Sequence, residues 1–538
     1  MQKTIAALLT LVLLTGCSTN ATPEVTLSET IAPDAATTEA DASAHIAKST
    51  AAPETAENSY ASRLGSPTII TLSDDGILVD CLDSGADEDA VTVTHDIIYY
   101  EDKETYSSGN PYGEGTEAER HTAEEAAAHT VVNITKPGAY RVEGKLSQGQ
   151  IRVDLGKGAE EDPDAVVELI LDNADITCTV APAILFLNVY ECDGDRDEEN
   201  ATPQVDTAAA GANLILEGSN TVSGSHVAKI FKDKDEEKKL WKQDGAVYSY
   251  MSMNIIGPGS LALTADNEGL GTELHLTVNG GDISIFSQND GINTNEDGVS
   301  VTTINGGTLT IFAGLGKEGD GIDSNGYLVI NGGSVVSAAN PKSDAGLDSD
   351  LGSFIHGGTV IAMGSTMDWA ESDSEQVTMN LQFASQQQAG SSITITKEDG
   401  TEIFSFEADS EHTRTFSGLI LSHASFRQGE TYHVYVNSQQ MAYTGTDVGR
   451  GGRGGKKAGD VMPKDFDPSK IEGKGKRPDN WESRQPPEDF QGEIPTWPEG
   501  ERPESSKNFG TGKSSAEFYM NDKVNAFSGV AVTAEANT

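Results

Sequence analysis

Gly280-Gly-Asp-Ile-Ser-Ile-Phe-Ser-Gln-Asn-Asp-Gly-Ile-Asn-Thr-Asn295 holds two signals that recur along the chain. The first is a Gly pair followed by alternating apolar residues, here Ile283 and Ile285. It returns at Gly306-Gly307 with Leu309 and Ile311, at Gly332-Gly333 with Val335 and at Gly357-Gly358 with Val360. Gly257-Pro-Gly259 is an earlier copy, and the spacing is 23 to 26 residues. Short apolar runs precede the pairs, at 253–256, 274–278, 301–304, 327–330 and 354–355. The second signal, Gly291-Ile-Asn-Thr-Asn295, returns as Gly269-Leu-Gly-Thr-Glu273, Gly321-Ile-Asp-Ser-Asn325 and Gly346-Leu-Asp-Ser-Asp350. Three short strands per 22 to 30 residues cannot each bury an apolar face alone, but they can when strand lies on strand. The reading is an all-β chain whose residues 66–375 form a right-handed parallel β-helix, a solenoid. Helical spacing and a leucine-rich repeat signature are both absent.

Weaker copies at 167–177 and 213–223 extend the repeats upstream, and polar, acidic stretches at 191–210 and 229–244 read as loop insertions. After Gln376 the pattern turns antiparallel, with strands expected at 392–396, 403–406 and 431–436 and a turn at Asp399-Gly400. Residues 376–444 are therefore expected to form a small C-terminal antiparallel β cap over the last open strand edge.

The flanks read differently. Lys3, the apolar run 5–14 and Leu14-Thr15-Gly16-Cys17 make residues 1–17 a lipoprotein signal, too short to span a bilayer. Cys17 would be the lipidated N-terminus, anchoring the protein to the outer face of a bacterial cell membrane. Residues 18–65, rich in Ala, Thr, Glu, Ser and Pro, read as a disordered linker, and 445–538 as a low-complexity tail with a basic, Gly-rich start at 450–457. Cys81, Cys178 and Cys192 are too few for a disulfide scaffold, though one bridge, Cys178 to Cys192, is open to them. With 36 Lys+Arg against 85 Asp+Glu the formal charge is −49, which excludes nucleic acid as a partner and admits a polyanion only across a cation.

Further stretches join the ladders: Gly138-Ala-Tyr140-Arg-Val-Glu-Gly144, Leu146-Ser-Gln-Gly-Gln150-Ile, Leu169-Ile-Leu-Asp172-Asn-Ala-Asp-Ile-Thr177 and Gly429-Glu-Thr-Tyr-His-Val-Tyr435. Across roughly 66–440 the chain resembles the calcium-binding parallel β-helix carbohydrate-binding lipoproteins of clostridial cell surfaces, which bind polygalacturonate. The resemblance implies a non-catalytic module for acidic, pectin-like polysaccharide, with calcium held on the turns.

The residues suggest the same cation. Stacked repeats would align Asp290, Asp320 and Asp344, then Asn293, Asp323 and Asp348, then Asn295, Asn325 and Asp350. Two carboxylates about 4.8 Å apart repel by about 3.5 kcal/mol at an effective dielectric of about 20. A Ca²⁺ with oxygen ligands reverses that sign. Turn hydrogen bonding alone is the alternative for these side chains. Phe286 and Phe312 fall at one position of successive repeats, as a column for stacking sugar rings or as a layer packed beneath the cap. A calcium-dependent pectate lyase is a second possibility, with Lys317 as its one nominee for the base. No Arg stands between Trp241 and Trp369 to pair with uronates. A structural surface adhesin is a third.

Overall fold

The computed structural model describes residues 62–80, 89–101, 116–231, 239–365, 368–407, 414–446 and 514–533. The signal with Cys17, nearly all of the linker, Cys81 and the tail from 447 to 513 lie outside the described residues.

The described chain is all-β. Its α-helix, Ala123–Ala127, is five residues long, with a capping box in which the Thr122 hydroxyl accepts the Glu125 N–H and the Glu125 carboxylate accepts the Thr122 N–H. The strands fall into a 24-stranded mixed sheet, a 9-stranded sheet and a two-stranded hairpin.

The two repeated signals become three in-register parallel ladders. The apolar runs form the first, Met253–Ile256, Leu276–Val278, Val301–Ile304, Tyr327–Ile330 and Gly352–Ile355. The alternating segments form the second, Ser260–Ala265, Asp282–Ser287, Thr308–Phe312, Ser334–Ala338 and Thr359–Gly364. The Gly-apolar motif forms the third, in the 9-stranded sheet: Gly245–Ser249, Glu268–Thr272, Ile292–Thr294, Ile322–Ser324 and Leu347–Ser349.

Register keeps like residues over like. Ile283 and Ile285 sit against Leu309 and Ile311, and Ile292 against Ile322 and Leu347, all with no exposed surface. Burying each such side chain contributes about 1.5–3 kcal/mol, so Ile311→Ala should cost about 2–5 kcal/mol. The glycines follow from the same stacking. Gly307 has φ +87°, and a Cβ there would lie 2.7 Å from the Gly281 carbonyl oxygen of the preceding repeat. At Gly291, a Cβ would meet Ile311 Cγ2 at 2.2 Å, so the turn motif keeps glycine where its backbone passes over the core.

The insertions differ from each other. Val227–Phe231 and Lys239–Gln243 pair as an antiparallel hairpin, whereas 191–210 holds no strand.

The cap closes the second ladder, because Phe416–Ser422 pairs antiparallel with Thr359–Gly364. The expected strands stand at Ser392–Lys397, Glu402–Glu407 and Thr431–Val436. The end of the chain departs from its expected place in a low-complexity tail. Phe518–Tyr519 and Val524–Val532 return to the cap, the latter parallel to Thr378–Gln387. Phe518 and Phe527 are buried, with Tyr443 packed against both at ring-centroid distances of 5.0 and 4.7 Å. Those apolar side chains hold 514–533 in the fold.

Candidate functional site

The third ladder carries the predicted acids in three rows. In the first, Glu268 aligns with Asp290 and Asp290 with Asp320, counting back from the Leu270–Ile292 and Ile292–Ile322 pairs. Asp344 falls outside it. Counting back from Ile322–Leu347, Ala345 faces Asp320 and Asp344 faces Gly319, because Ala345 stands between Asp344 and Gly346 where the earlier repeats have Asp directly before Gly. This row also performs turn chemistry: Asp290 Oδ1 accepts the Asp320 N–H at 2.7 Å, and Asp320 Oδ1 accepts the Ala345 N–H at 2.6 Å. Asp344 Oδ2 accepts the Gly319 N–H at 2.9 Å.

The second row, Asn293, Asp323 and Asp348, is in register as expected. The third, Asn295, Asn325 and Asp350, is aligned too, but its amides are spent on the ladder. Asn295 Nδ2 donates to the Thr272 carbonyl and Asn325 Nδ2 to the Asn295 carbonyl, at 3.2 and 3.0 Å. Asn295 Oδ1 accepts from Lys242, which also pairs with Asp244 at 3.0 Å.

Electrostatics single out the first two rows. Asp290 is buried, and burial, then Glu268, Asp323 and Asp320, raise its carboxyl well above the usual range. Asp323 is pushed up to about 8 by burial and then by Asp320, Asp348, Glu268 and Asp350. Asp350 is raised by burial, with Asp348 and Asp297 adding to it. Asn293 donates through Nδ2 to Glu268 Oε1 at 3.0 Å, yet its Oδ1 is buried with no hydrogen-bond partner among the described residues. A buried, unpaired amide oxygen among mutually repelling carboxylates fits a hard cation, which takes only oxygen. Among the described residues no three His, Cys, Asp or Glu side chains converge into a closed ligand cage. The oxygens are strung along the ladder instead, and an amide is one of them.

Glu268 was not foreseen, although it precedes Gly269 as Asp290 precedes Gly291. A second unforeseen cluster lies at the upstream hairpin. His226 Nδ1 meets Asp266 Oδ1 at 2.9 Å, its Nε2 meets Glu119 Oε1 at 3.2 Å, and Ser225 donates to Asp266 Oδ2 at 2.5 Å.

The aromatic column is a correction. Phe286 and Phe312 stack at 5.3 Å, but Phe312 is buried in the core shared with the cap, beside Ile361, Met363, Leu381 and Phe416, and Phe286 packs against that core. The cap covers the face that the repeat pattern left open, so these rings are structural. Lys317 is exposed on the bend before Asp320. Cys178 and Cys192 are free thiols, the first inside the core, and burial pushes each up to about 12. The bridge open to them in the sequence is not formed.

A model of the carbohydrate-binding domain-containing protein family matches residues 128–412, more than half of the 538-residue chain and the whole of the three ladders. The chain belongs to this carbohydrate-binding family. A relative in Acetivibrio thermocellus, a carbohydrate-binding domain-containing protein, is 29% identical over 155 residues, which span 29% of this chain and 44% of the relative. A solved structure of a polysaccharide lyase-like protein from C. thermocellum, a gadolinium derivative, aligns with 55% of this chain and 93% of its own at 21% identity and a TM-score of 0.33. In this carbohydrate-binding chain, the acid ladder lies inside the matched segment and the return strands at 514–533 lie beyond it.

Proposed function

We propose that this carbohydrate-binding chain is a lipid-anchored surface protein that holds acidic, pectin-like polysaccharide through calcium on the turns of a right-handed parallel β-helix, without cleaving it. The three in-register ladders support the β-helix reading, since each advances by one repeat in parallel. The sequence signal ending at Cys17 supports the anchor and, with it, a position on the outer face of the cell membrane.

The observation that carries the calcium reading is the Asn293 Oδ1 atom, a buried acceptor with no hydrogen-bond partner among the described residues, beside acids whose charges are held back by burial and then by one another. Glu268, Asp290, Asn293, Asp320, Asp323 and Asp348 would offer oxygens to calcium between neighbouring repeats, with Asn295, Asn325 and Asp350 at the flank of the ladder and Asp344 on the neighbouring turn. When bound, calcium supplies coordination positions that a sugar carboxylate can share. The residues themselves supply oxygens and exclude water at Asp290 and Asn293, which are 8% and 7% exposed. Without a cation a domain this acidic repels uronates. The run without Arg from Trp241 to Trp369 supports binding over catalysis, because bidentate Arg is the side chain that holds a uronate for chemistry.

Retention on immobilised polygalacturonate, with calcium and with excess chelator, tests this. The expected result is retention only in calcium, lost in Asp323→Ala, with no ultraviolet-absorbing unsaturated product after long incubation. Product that disappears in Lys317→Ala would replace binding with lyase chemistry. Retention that ignores the chelator would remove calcium from the reading.

A further inference from the structure

Another face of the same repeats carries aromatic rings that, among the described residues, join neither of the two large core clusters. On the first ladder Leu328, Ile330 and Ile355 have no exposed surface, and the residues that alternate with them lie on the other face, where Val329, the register partner of Phe354, is 5% exposed. Tyr327, Phe354 and His356 are each only half-buried there. The Tyr327 and Phe354 ring centroids are 6.1 Å apart at 52°, and those of Phe354 and His356 are 6.2 Å apart at 22°.

A polar row runs beside the rings. Asn331 Nδ2 donates to Asn305 Oδ1 at 2.8 Å and Asn305 Nδ2 to Asn279 Oδ1 at 2.9 Å, all three residues being exposed. This relay leaves an acceptor at Asn331 and a donor at Asn279 facing solvent. His356 continues the row after Asn331, by the Ile330–Ile355 pairing.

The upstream end of the face is already occupied. Thr207, on the 191–210 insertion, donates to Asn254 Oδ1 and its hydroxyl oxygen accepts from the Thr277 hydroxyl, each at 2.7 Å. Arg196 of that insertion pairs with Glu296 at 2.7 Å, and Glu191, Asp193, Asp195, Asp197, Glu198 and Glu199 lie within five residues of it along the chain. The rings therefore form a shelf that starts where an acidic wall ends.

We propose that the Tyr327, Phe354 and His356 shelf is a second glycan-binding site, which takes an uncharged polysaccharide chain without metal. The proposal rests on the carbohydrate-binding reading of the chain but not on calcium. The apolar C–H faces of pyranose rings lie against the aromatic rings, while ring hydroxyls meet the asparagine row, a division of labour usual in sites with an apolar floor and few polar groups. The wall sets the charge of the occupant: six carboxylates with one paired arginine repel a uronate chain, and the shelf offers no cation to offset them.

Isothermal titration of the full chain with cellohexaose in excess chelator tests the assignment. Binding should persist in chelator, and Tyr327→Ala or Phe354→Ala should each weaken it about tenfold. Phe354→Trp should retain it, and calcium-dependent retention on polygalacturonate should be unchanged in all three. Asn331→Ala, on the exposed row, should weaken binding with an unaltered melting curve, and serves where an aromatic substitution unfolds the protein. Absence of cellohexaose binding by the wild type, or equal affinity in a folded Tyr327→Ala/Phe354→Ala variant, overturns the shelf. Polygalacturonate retention is a separate readout, so failure of the calcium site and failure of the shelf are told apart.

Discussion

The acid ladder and the His226 cluster are both crowded with carboxylates, and their acidities move in opposite directions. At the cluster, the imidazole of His226 lies between Glu119 and Asp266. Burial opposes its charge, but hydrogen bonds and attraction from Asp266 and Glu119 win and raise it to about 9. Glu119 falls to about 2, with its hydrogen bond to His226 as the largest cause. At the ladder burial and then the neighbouring carboxylates raise Asp323 to about 8. Burial alone therefore does not distinguish a structural acid cluster from a ligand site. What separates these two is the neighbour: His226 lowers Glu119, whereas carboxylates add to the rise of Asp323.

The contrast breaks first if calcium does not act on stability. Calcium at about 100 times its Kd should stabilise the wild type by about 2.7 kcal/mol, read as a raised melting temperature that chelation reverses. Asp323→Asn should lose most of that gain and melt no lower than the wild type in chelator, because it removes a repelled charge. Equal transitions with and without calcium would make the ladder acids turn formers, like Asp344.

A smaller effect is expected at the cluster. His226→Gln removes the cation between two acids, but the Asp266 side chain is 52% exposed, so the loss should be about 1–3 kcal/mol rather than that of a fully buried pair. Its pH window should differ from the ladder's. His226 contributes stability that is fully present below about 6.5 and fades as pH rises through about 9, whereas Glu119 contributes above about 4.5 and fades toward about 2. The pair therefore contributes fully between about 4.5 and 6.5. Asp323 is a raised acid, so in chelator its folded state loses stability as pH climbs from about 4 to about 8. Melting curves of the wild type, His226→Gln and Asp323→Asn across that range should separate the two windows, the ladder's loss beginning above about pH 4 and the cluster's only above about pH 6.5, and a common window would erase the comparison.

The smallest effect belongs to Asp344→Ala. It removes one acceptor for the Gly319 N–H, worth about 0.5–1.5 kcal/mol, and should leave the calcium shift intact since Asp344 stands outside the aligned row. Loss of the calcium shift in this variant would return Asp344 to the site.

Much of this was legible along the chain because a repeat is local information. The Gly pairs mark where successive backbones touch, the Ile and Leu positions between them mark the inward face, and the second-row acids Asn293, Asp323 and Asp348 follow from their place after the Gly-apolar pair. Even the offset of Asp344 and the alignment of Glu268 were written there, one as an inserted Ala345 and the other as the residue before Gly269.

What covers each column was decided by residues far away in the chain. Phe286 and Phe312 have the pattern of a solvent-facing stack, and only the cap and its cluster of Leu381, Phe416 and Phe527 turn them into core. The strand Val524–Val532 joins Thr378–Gln387 across an intervening low-complexity stretch, which composition alone assigns to a tail. His226 meets Glu119 across 107 positions. Period and residue type determine which side chains align, because neighbouring repeats impose that on each other. Whether an aligned row ends up buried, paired or open depends on contacts between segments that share no period, and those exist only once the chain has folded.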